Sequence, residues 1–373
     1  MKLTDVVDRI NGNVDRFTTD LEYYIGGEHF ESNELEVTQK GLLKENLGKL
    51  GFKFHFAFQD RDVIFMARNP HLRKAGMVRF AGLCSDASYI LRSKDESVLS
   101  QEYLAIMLQS NHFWDYCESH KVGSVNFANN WSSIANYEFE LPTPEYQKDI
   151  SDKVWSAYRL KKSYKKLLSA TEEMVKSQFI EMFGDPSVDT KWPTKKLKEL
   201  GSLDRGVSKA RPRNTPELLG GPYPLIQTGD ITEAKLFIKD YHQTYSELGL
   251  AQSKMWKRGT LCITIAANIA QTAILDIDAC FPDSVVGFIP YEVETIFIHY
   301  WFSFIQQVLE RQAPQTAQKN INLKILSELD VIVPPKELQS KFVNIVLQAD
   351  KSEFELRKSI DAIDAVIKSL INS

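Results

Sequence analysis

The chain repeats itself at an offset of 192 residues: Asn130 falls on Asn322, Ile134 on Leu326, Phe139 on Val331, Leu141 on Val333 and Pro142 on Pro334. Further on, Gln147 meets Gln339 and Val154 meets Val346. Identity is low, but one order of turn, strand, proline and helix holds register through both copies. A self-similar chain folds as copies of one unit rather than around one large core. It suits a task done twice, on two related targets or on one target with two halves.

At 373 residues the length accommodates two domains, and 43% hydrophobic residues supply a sizeable core. A formal net charge of −4 excludes a surface coated in base but allows local basic patches. Cys84, Cys117, Cys262 and Cys280 form no CxxC pair. They read as reduced thiols and small core hydrophobes. The histidines show no ligand spacing beside them, so no metal is expected. The charged, periodic N-terminus MKLTDVVDRINGNVDR does not read as a signal peptide. No 18-residue uncharged apolar run occurs, so no membrane span is expected, and the reading is cytoplasmic.

Residues 1–146 read as a mixed region. It has a short helix at Leu3–Ile10, strands at Phe52–Phe58, Asp62–Ala67, Met77–Phe80 and Ser88–Leu91, and a helix at Gln101–Tyr116. Residues 147–185 change character. Ile150, Val154, Ala157, Tyr164, Leu168, Thr171, Val175 and Met182 share one seam with steps of three and four, interrupted by Lys161 and Gln178. That spacing predicts one long helix, stopped at Gly184-Asp185-Pro186. Residues 186–336 are mixed again, with strands at Tyr223–Gln227, Thr260–Ala266, Thr272–Asp276 and Val285–Pro290 and a helix at Val293–Glu310. Residues 337–373 carry a second seam through Phe342, Val346, Ala349, Leu356, Ile360, Ile363, Ile367 and Leu370. Glu353 interrupts it at the repeat position of Lys161. Two such helices bury their seams most economically against each other, as an antiparallel coiled coil. The expected fold is therefore α/β (mixed α+β): two related domains separated by two long antiparallel helices, with pseudo-twofold symmetry.

No catalytic motif emerges. Gly41 and Gly48-Lys49-Leu50 lack the spacing and hydroxyl of a P-loop, and no GxGxxG, GxSxG or HExxH occurs. Pro282-Asp283 with Glu292 and Glu294 only faintly suggests a nuclease cluster, because the lysine expected after the second carboxylate is missing. The chain reads as a binder. Lys209, Arg211 and Arg213 end a basic stretch beginning at Lys191, suited to phosphates. Arg68, Asn69, Arg73 and Lys74 combine donor types that read guanine and adenine edges. Two polar runs precede equivalent strands and suggest two versions of one reading surface. They contribute Ser124, Asn126 and Asn129, and Gln315, Gln318, Lys319 and Asn320; Asn268 and Gln271 complete the candidates. The basic cluster Arg159, Lys161, Lys162, Lys165 and Lys166 on the first helix reads as a solvated face, or as one turned to DNA or an acidic partner.

The combination resembles the DNA specificity (S) subunit of type I restriction–modification systems. In the first half the likeness rests on Tyr24-Ile25-Gly26-Gly27-Glu28-His29, Arg61-Asp62-Val63-Ile64-Phe65, Arg68-Asn69-Pro70 and Gly82-Leu83-Cys84-Ser85. In the second it rests on Trp192-Pro193, Tyr223-Pro224-Leu225-Ile226, Thr228-Gly229-Asp230-Ile231, Lys257-Arg258-Gly259-Thr260-Leu261 and Gln318-Lys319-Asn320-Ile321. The resemblance implies two target recognition domains, each reading half of a split sequence in double-stranded DNA, with the helices setting the gap. It also implies docking of two modification (M) subunits that hold S-adenosylmethionine, and a motor–nuclease (R) subunit as an optional partner. It gives this chain no cofactor, no metal and no catalytic residue. The first half lacks the Trp-Pro entry, and the second helix stops short of a counterpart to Phe183-Gly184-Asp185. Both departures fit a circular arrangement with the N-terminus beside the last helix. Two other classes stay open: an enzyme with an unrecognised nuclease or transferase site, and a partner-binding scaffold or recognition subunit of another defence complex.

Overall fold

Segments rich in β-branched and aromatic residues, broken by turn formers, give each half of the chain a five-stranded and a four-stranded sheet. The computed structural model describes residues 1–125, 127–188, 191–266, 269–312 and 321–372. They fall into two units, Met1–Lys165 with Lys358–Ser373, and Lys166–Arg357. The five-stranded sheet of the first unit runs Val7–Ile10, Ser88–Ser93, Val63–Met66, Ala75–Val78, Glu36–Val37. That of the second runs Gly201–Arg205, Val285–Pro290, Leu261–Thr264, Thr272–Leu275, Phe237–Ile238. In both, only the last pairing is parallel. The four-stranded sheets match as well: Gly41–Leu42, Tyr23–Tyr24, Gly82–Ser85, Phe54–Phe58 against Gln243–Tyr245, Leu219–Leu225, Ala279–Cys280, Met255–Trp256. The repeat seen at the junctions thus extends through whole units whose loops differ in length.

The central strand Val63–Met66 is buried on both faces, which is why it is apolar without alternation. Val63 and Phe65 face the helices, in a core with Phe113, Trp114, Val154 and Trp155. Ile64 and Met66 face the other way, toward Phe58, Cys84 and Ile90. In the second unit Leu261 and Ile263 join Phe179, Phe297 and Phe342, while Cys262 joins Trp256 and Phe281. All four cysteines are free and buried, and burial pushes the Cys84 thiol up to about 12.

The seams become helices Pro144–Phe183 and Lys336–Ile371. Within the second unit they run antiparallel: Glu172 reaches Arg357 at 3.4 Å, while Phe179 and Phe183 pack on Phe342. The repeated glutamines act as matching clamps. Gln147, 2% exposed, donates to the Pro142 and Val98 carbonyls and accepts from the Ser100 N–H. Gln339, also 2% exposed, donates to the Pro334 carbonyl and accepts from the Glu294 N–H.

Two local expectations change, and the entry differs between the units. Leu3–Ile10 divides into a helical turn, Leu3–Val6, and a strand, Val7–Ile10, because the ladder with Ser88–Ser93 outweighs local helix propensity. Gln101–Tyr116 becomes two helices, Gln101–Met107 and Asn111–Ser119, since Ser100 and Ser110 each cap a separate start. The entry strand Thr194–Lys196 makes a ladder with Asp330–Ile332, whereas the first unit has only the bridge Lys2 to Glu138 at the equivalent place. Among the described residues no helix is long and apolar enough to cross a membrane.

Candidate nucleic-acid interface

In the first unit the hairpin joining Val63–Met66 to Ala75–Val78 carries Arg68 to Lys74. A 3-10 turn at Pro70–Leu72 is flanked by Asn69 and Arg73, both left-handed at φ 54° and 47°. Asn tolerates that conformation because its short polar side chain bonds locally, whereas Arg there needs outside support. Arg73 has it: its Nη1 donates to Asn111 Oδ1 at 2.7 Å, with Asp115 at 3.9 Å. Lys74 donates to the Gly27 carbonyl at 2.7 Å. Arg68 is exposed, and no partner for its guanidinium occurs among the described residues.

The first polar run closes on this hairpin. The Asn69 N–H donates to Phe127 O and the Asn129 N–H to Ala67 O, both at 2.8 Å, and Ala128 bridges Arg68. Ser124 is exposed on the run. Asn129 points inward: 1% exposed, its Nδ2 donates to the Cys117 carbonyl at 2.8 Å, so it supports the loop instead of facing solvent. Asn126 lies outside the described residues.

The second unit repeats the arrangement with other side chains. Its hairpin joins Leu261–Thr264 to Thr272–Leu275 and carries Gln271, whose Oε1 accepts from Thr232. The Ile321 N–H donates to Ile265 O at 3.0 Å, the counterpart of Asn129 to Ala67. Asn268, Gln315, Gln318, Lys319 and Asn320 lie outside the described residues. The basic loop joins the same place. Ser284 O accepts from the Ile265 N–H at 3.0 Å, and the neighbouring Asp283 carboxylate pairs with Arg213 and, at 3.5 Å, with Arg211. Arg205 donates to the Asp283 carbonyl, and Lys209 is exposed on the loop. Gly206 opens this loop where a Cβ would strike the Phe281 and Pro282 carbonyls, so only glycine fits.

Asp283 therefore organises arginines. Among the described residues no group of three or more His, Cys, Asp or Glu could hold a metal ion. Sequence reasoning also missed Arg9, whose guanidinium lies 4.3 Å from the Tyr89 ring centre and 5.7 Å from that of Trp131, beside the polar run. Its one-dimensional signal was slight, since Arg9 is far from Tyr89 and Trp131 in sequence and meets them only in the folded unit. Three of the five basic residues on the first helix turn out to be paired internally: Lys161 and Lys165 each reach Glu34 at 2.9 Å, and Lys162 reaches Glu36 at 2.6 Å.

Residues 189–363 match the model of the Type I restriction modification DNA specificity domain. By that match, the second half of the chain is similar to the type I restriction–modification DNA specificity domain. Two solved structures with TM-scores above 0.5 share its fold. The type I restriction–modification S subunit from M. genitalium is 12% identical, with a TM-score of 0.62 over 100% of this chain and 94% of that one. A chain of a type I R-M system studied for complex assembly and conformational transition is 16% identical, with a TM-score of 0.59 over 100% and 95%. The HsdS subunit from Thermoanaerobacter tengcongensis is 18% identical over 100% and 94%, with a TM-score of 0.43.

Within this fold, several of the motifs quoted above have structural work. Asp62, 1% exposed, takes a two-pronged bond from Arg92 at 2.8 and 2.9 Å. Arg61 clasps Glu96 and Glu102. The Trp192 indole donates to the Phe183 carbonyl at 3.0 Å, tying the Trp-Pro entry to the end of the first long helix. Asp230 accepts from the Gln227 N–H at 2.7 Å and holds His242 at 2.6 Å; that bond raises the imidazole's pKa above its ordinary value.

Proposed function

We propose that this chain reads a bipartite sequence in double-stranded DNA, one half-site per unit. The observation that carries the reading is the duplicated hairpin-and-loop site. Equivalent backbone bonds, Asn129 to Ala67 and Ile321 to Ile265, hold hairpins of different sequence on one scaffold. A common mount with divergent tips is what reading two different half-sites requires. Arg68 and Ser124 in the first unit, and Lys209, Arg211, Arg213 and Gln271 in the second, are the contacts we assign. Asn126, Asn268, Gln315, Gln318, Lys319 and Asn320, which lie outside the described residues, are proposed as DNA contacts from the sequence alone. Phosphate contacts position each unit and base-edge contacts discriminate.

In this reading the two long helices set the gap between half-sites, as a fixed dimer spacing does. They also dock two methyltransferase (M) subunits, and a motor–nuclease subunit joins where the complex cleaves. Leu167 and Met174 support docking: both are exposed and seven residues apart on the first helix, apolar side chains that invite a protein partner. S-adenosylmethionine belongs to the partner, and this chain is non-catalytic and works in the cytoplasm. Mapping methylated adenines in DNA from cells carrying this chain with its M partner tests the proposal. Two short motifs at one fixed separation are expected; a single contiguous motif would overturn it.

A further inference from the structure

The backbone bonds that superimpose the units also align their charges. The Leu35 carbonyl accepts from the Met77 N–H and the Leu236 carbonyl from the Ile274 N–H, both at 2.8 Å, so Glu34 corresponds to Lys235 and Glu36 to Phe237. On the helices the 192-residue register sets Lys161 on Glu353, Lys162 on Phe354, Lys165 on Arg357 and Glu172 on Asp364.

In the first unit the seam residue is the cation. Lys161, 6% exposed, lies 2.9 Å from Glu34 on the recognition domain and 2.7 Å from Asp364 on the second helix. In the second unit the domain supplies the cation and both helices supply acids. Lys235 pairs with Glu172 and stands 3.9 Å from Glu353, while Arg357 bridges the same two carboxylates at 3.4 and 3.5 Å. The neighbouring position is exchanged too. The first unit pairs Glu36 with Lys162 at 2.6 Å, whereas the second has Phe237 and Phe354, each within 6 Å of the Lys239 ammonium.

We infer that this charge-swapped clamp keys each recognition domain to its own segment of the two long helices. Two domains built on one plan, above equivalent helix seams, could otherwise seat on the wrong segment, or on a second copy of the chain. Wrong seating would bring Glu34 against Glu353 and Glu172, with Arg357 in the place of Lys165. It would bring Lys235 against Lys161 and Lys165, with Asp364 in the place of Glu172, so like charges outnumber opposite ones at both. It would also set Glu36 on Phe354. Like charges meeting in a half-buried seam are a repulsive element of the kind that specific pairing needs. Burial works against ionising Glu34, yet the Lys161 and Lys165 ammonium groups hold its carboxyl below the usual range. Burial likewise opposes the Lys161 charge, and Asp364 and Glu34 hold its pKa above the ordinary lysine value. The inference concerns assembly and stands whatever sequence the domains read.

Two substitutions exchange the central charges of the first unit for those of the second: Glu34→Lys with Lys161→Glu. In calorimetry of the full chain each alone should lower the melting transition by roughly 6–12 °C, and together they should recover most of the loss. A double variant as weak as the two losses combined overturns the clamp. The keying itself is read from refolding out of urea, followed by size-exclusion with light scattering. Lys235→Glu, Phe237→Glu, Glu353→Lys and Phe354→Lys together give both units the first set. Glu34→Lys, Glu36→Phe, Lys161→Glu and Lys162→Phe give both the second. Either chain should refold into additional larger or mixed species that the unsubstituted chain does not form. A profile identical to that of the unsubstituted chain overturns the keying. Loss of cooperative melting in both variants overturns it equally, because the two sets would then not be interchangeable.

Discussion

Arg68 and Arg73 look equivalent in sequence, and the structure separates them. Arg68 extends from the hairpin with no side-chain partner among the described residues, so Arg68→Ala should change stability by no more than about 0.5 kcal/mol. Arg73 is spent on Asn111 and Asp115, so Arg73→Ala should cost about 1 kcal/mol of stability and act on DNA only by loosening the hairpin. If Arg68 reads a base edge, its loss should weaken one half-site by about 1–3 kcal/mol, roughly 5- to 150-fold in affinity. The assay is fluorescence anisotropy of the assembled complex on duplexes with either half-site altered, across a salt series, beside a melting curve of each variant. A loss uniform over all sequences, with the salt slope reduced by about one, would make Arg68 a phosphate contact. Unchanged affinity at unchanged melting temperature would refute its place in the interface.

Removing residues 167–170 together with residues 358–361 shortens both long helices by about 6 Å each, close to two base pairs of duplex. Methylation mapping should then return the same two half-sites at a smaller separation; altered half-sites at the old separation would sink the ruler. Gln147→Leu leaves the Ser100 N–H and the Val98 and Pro142 carbonyls without their partner, and should cost about 2–4 kcal/mol in urea denaturation. A cost below about 0.5 kcal/mol would show the clamp to be dispensable. Burial lowers the His299 pKa to about 4, against about 6.5 in the unfolded chain. The unfolded state therefore binds the proton first. The contribution is intact above pH ~6.5 and is lost by about 3 kcal/mol as pH falls toward 4. His299→Gln should flatten that part of the stability profile, and an unchanged profile would place the acid sensitivity elsewhere.

Spacing alone determined a good deal. Steps of three and four along Ile150 to Met182 and along Phe342 to Leu370 specified two long helices, because a helix face is a local property of the chain. Apolar runs such as Val63–Met66 specified buried strands for the same reason. The duplication was legible at the strand–proline–helix junctions, where the Gln147 and Gln339 clamps require the same residue twice. What a polar side chain does was not legible, because its partner comes from another element. Asn129 looked like a reader and is a buried support, and Lys161 looked like a solvated face and is a buried ion pair. The equivalence of the two reading hairpins was hidden as well. Their loops differ in length and composition, and only the bonds from Asn129 and Ile321 bring them to one position on a common frame. Sequence set the period of each element; long-range pairing of strands and seams decided which side chains meet and which stay free to face DNA.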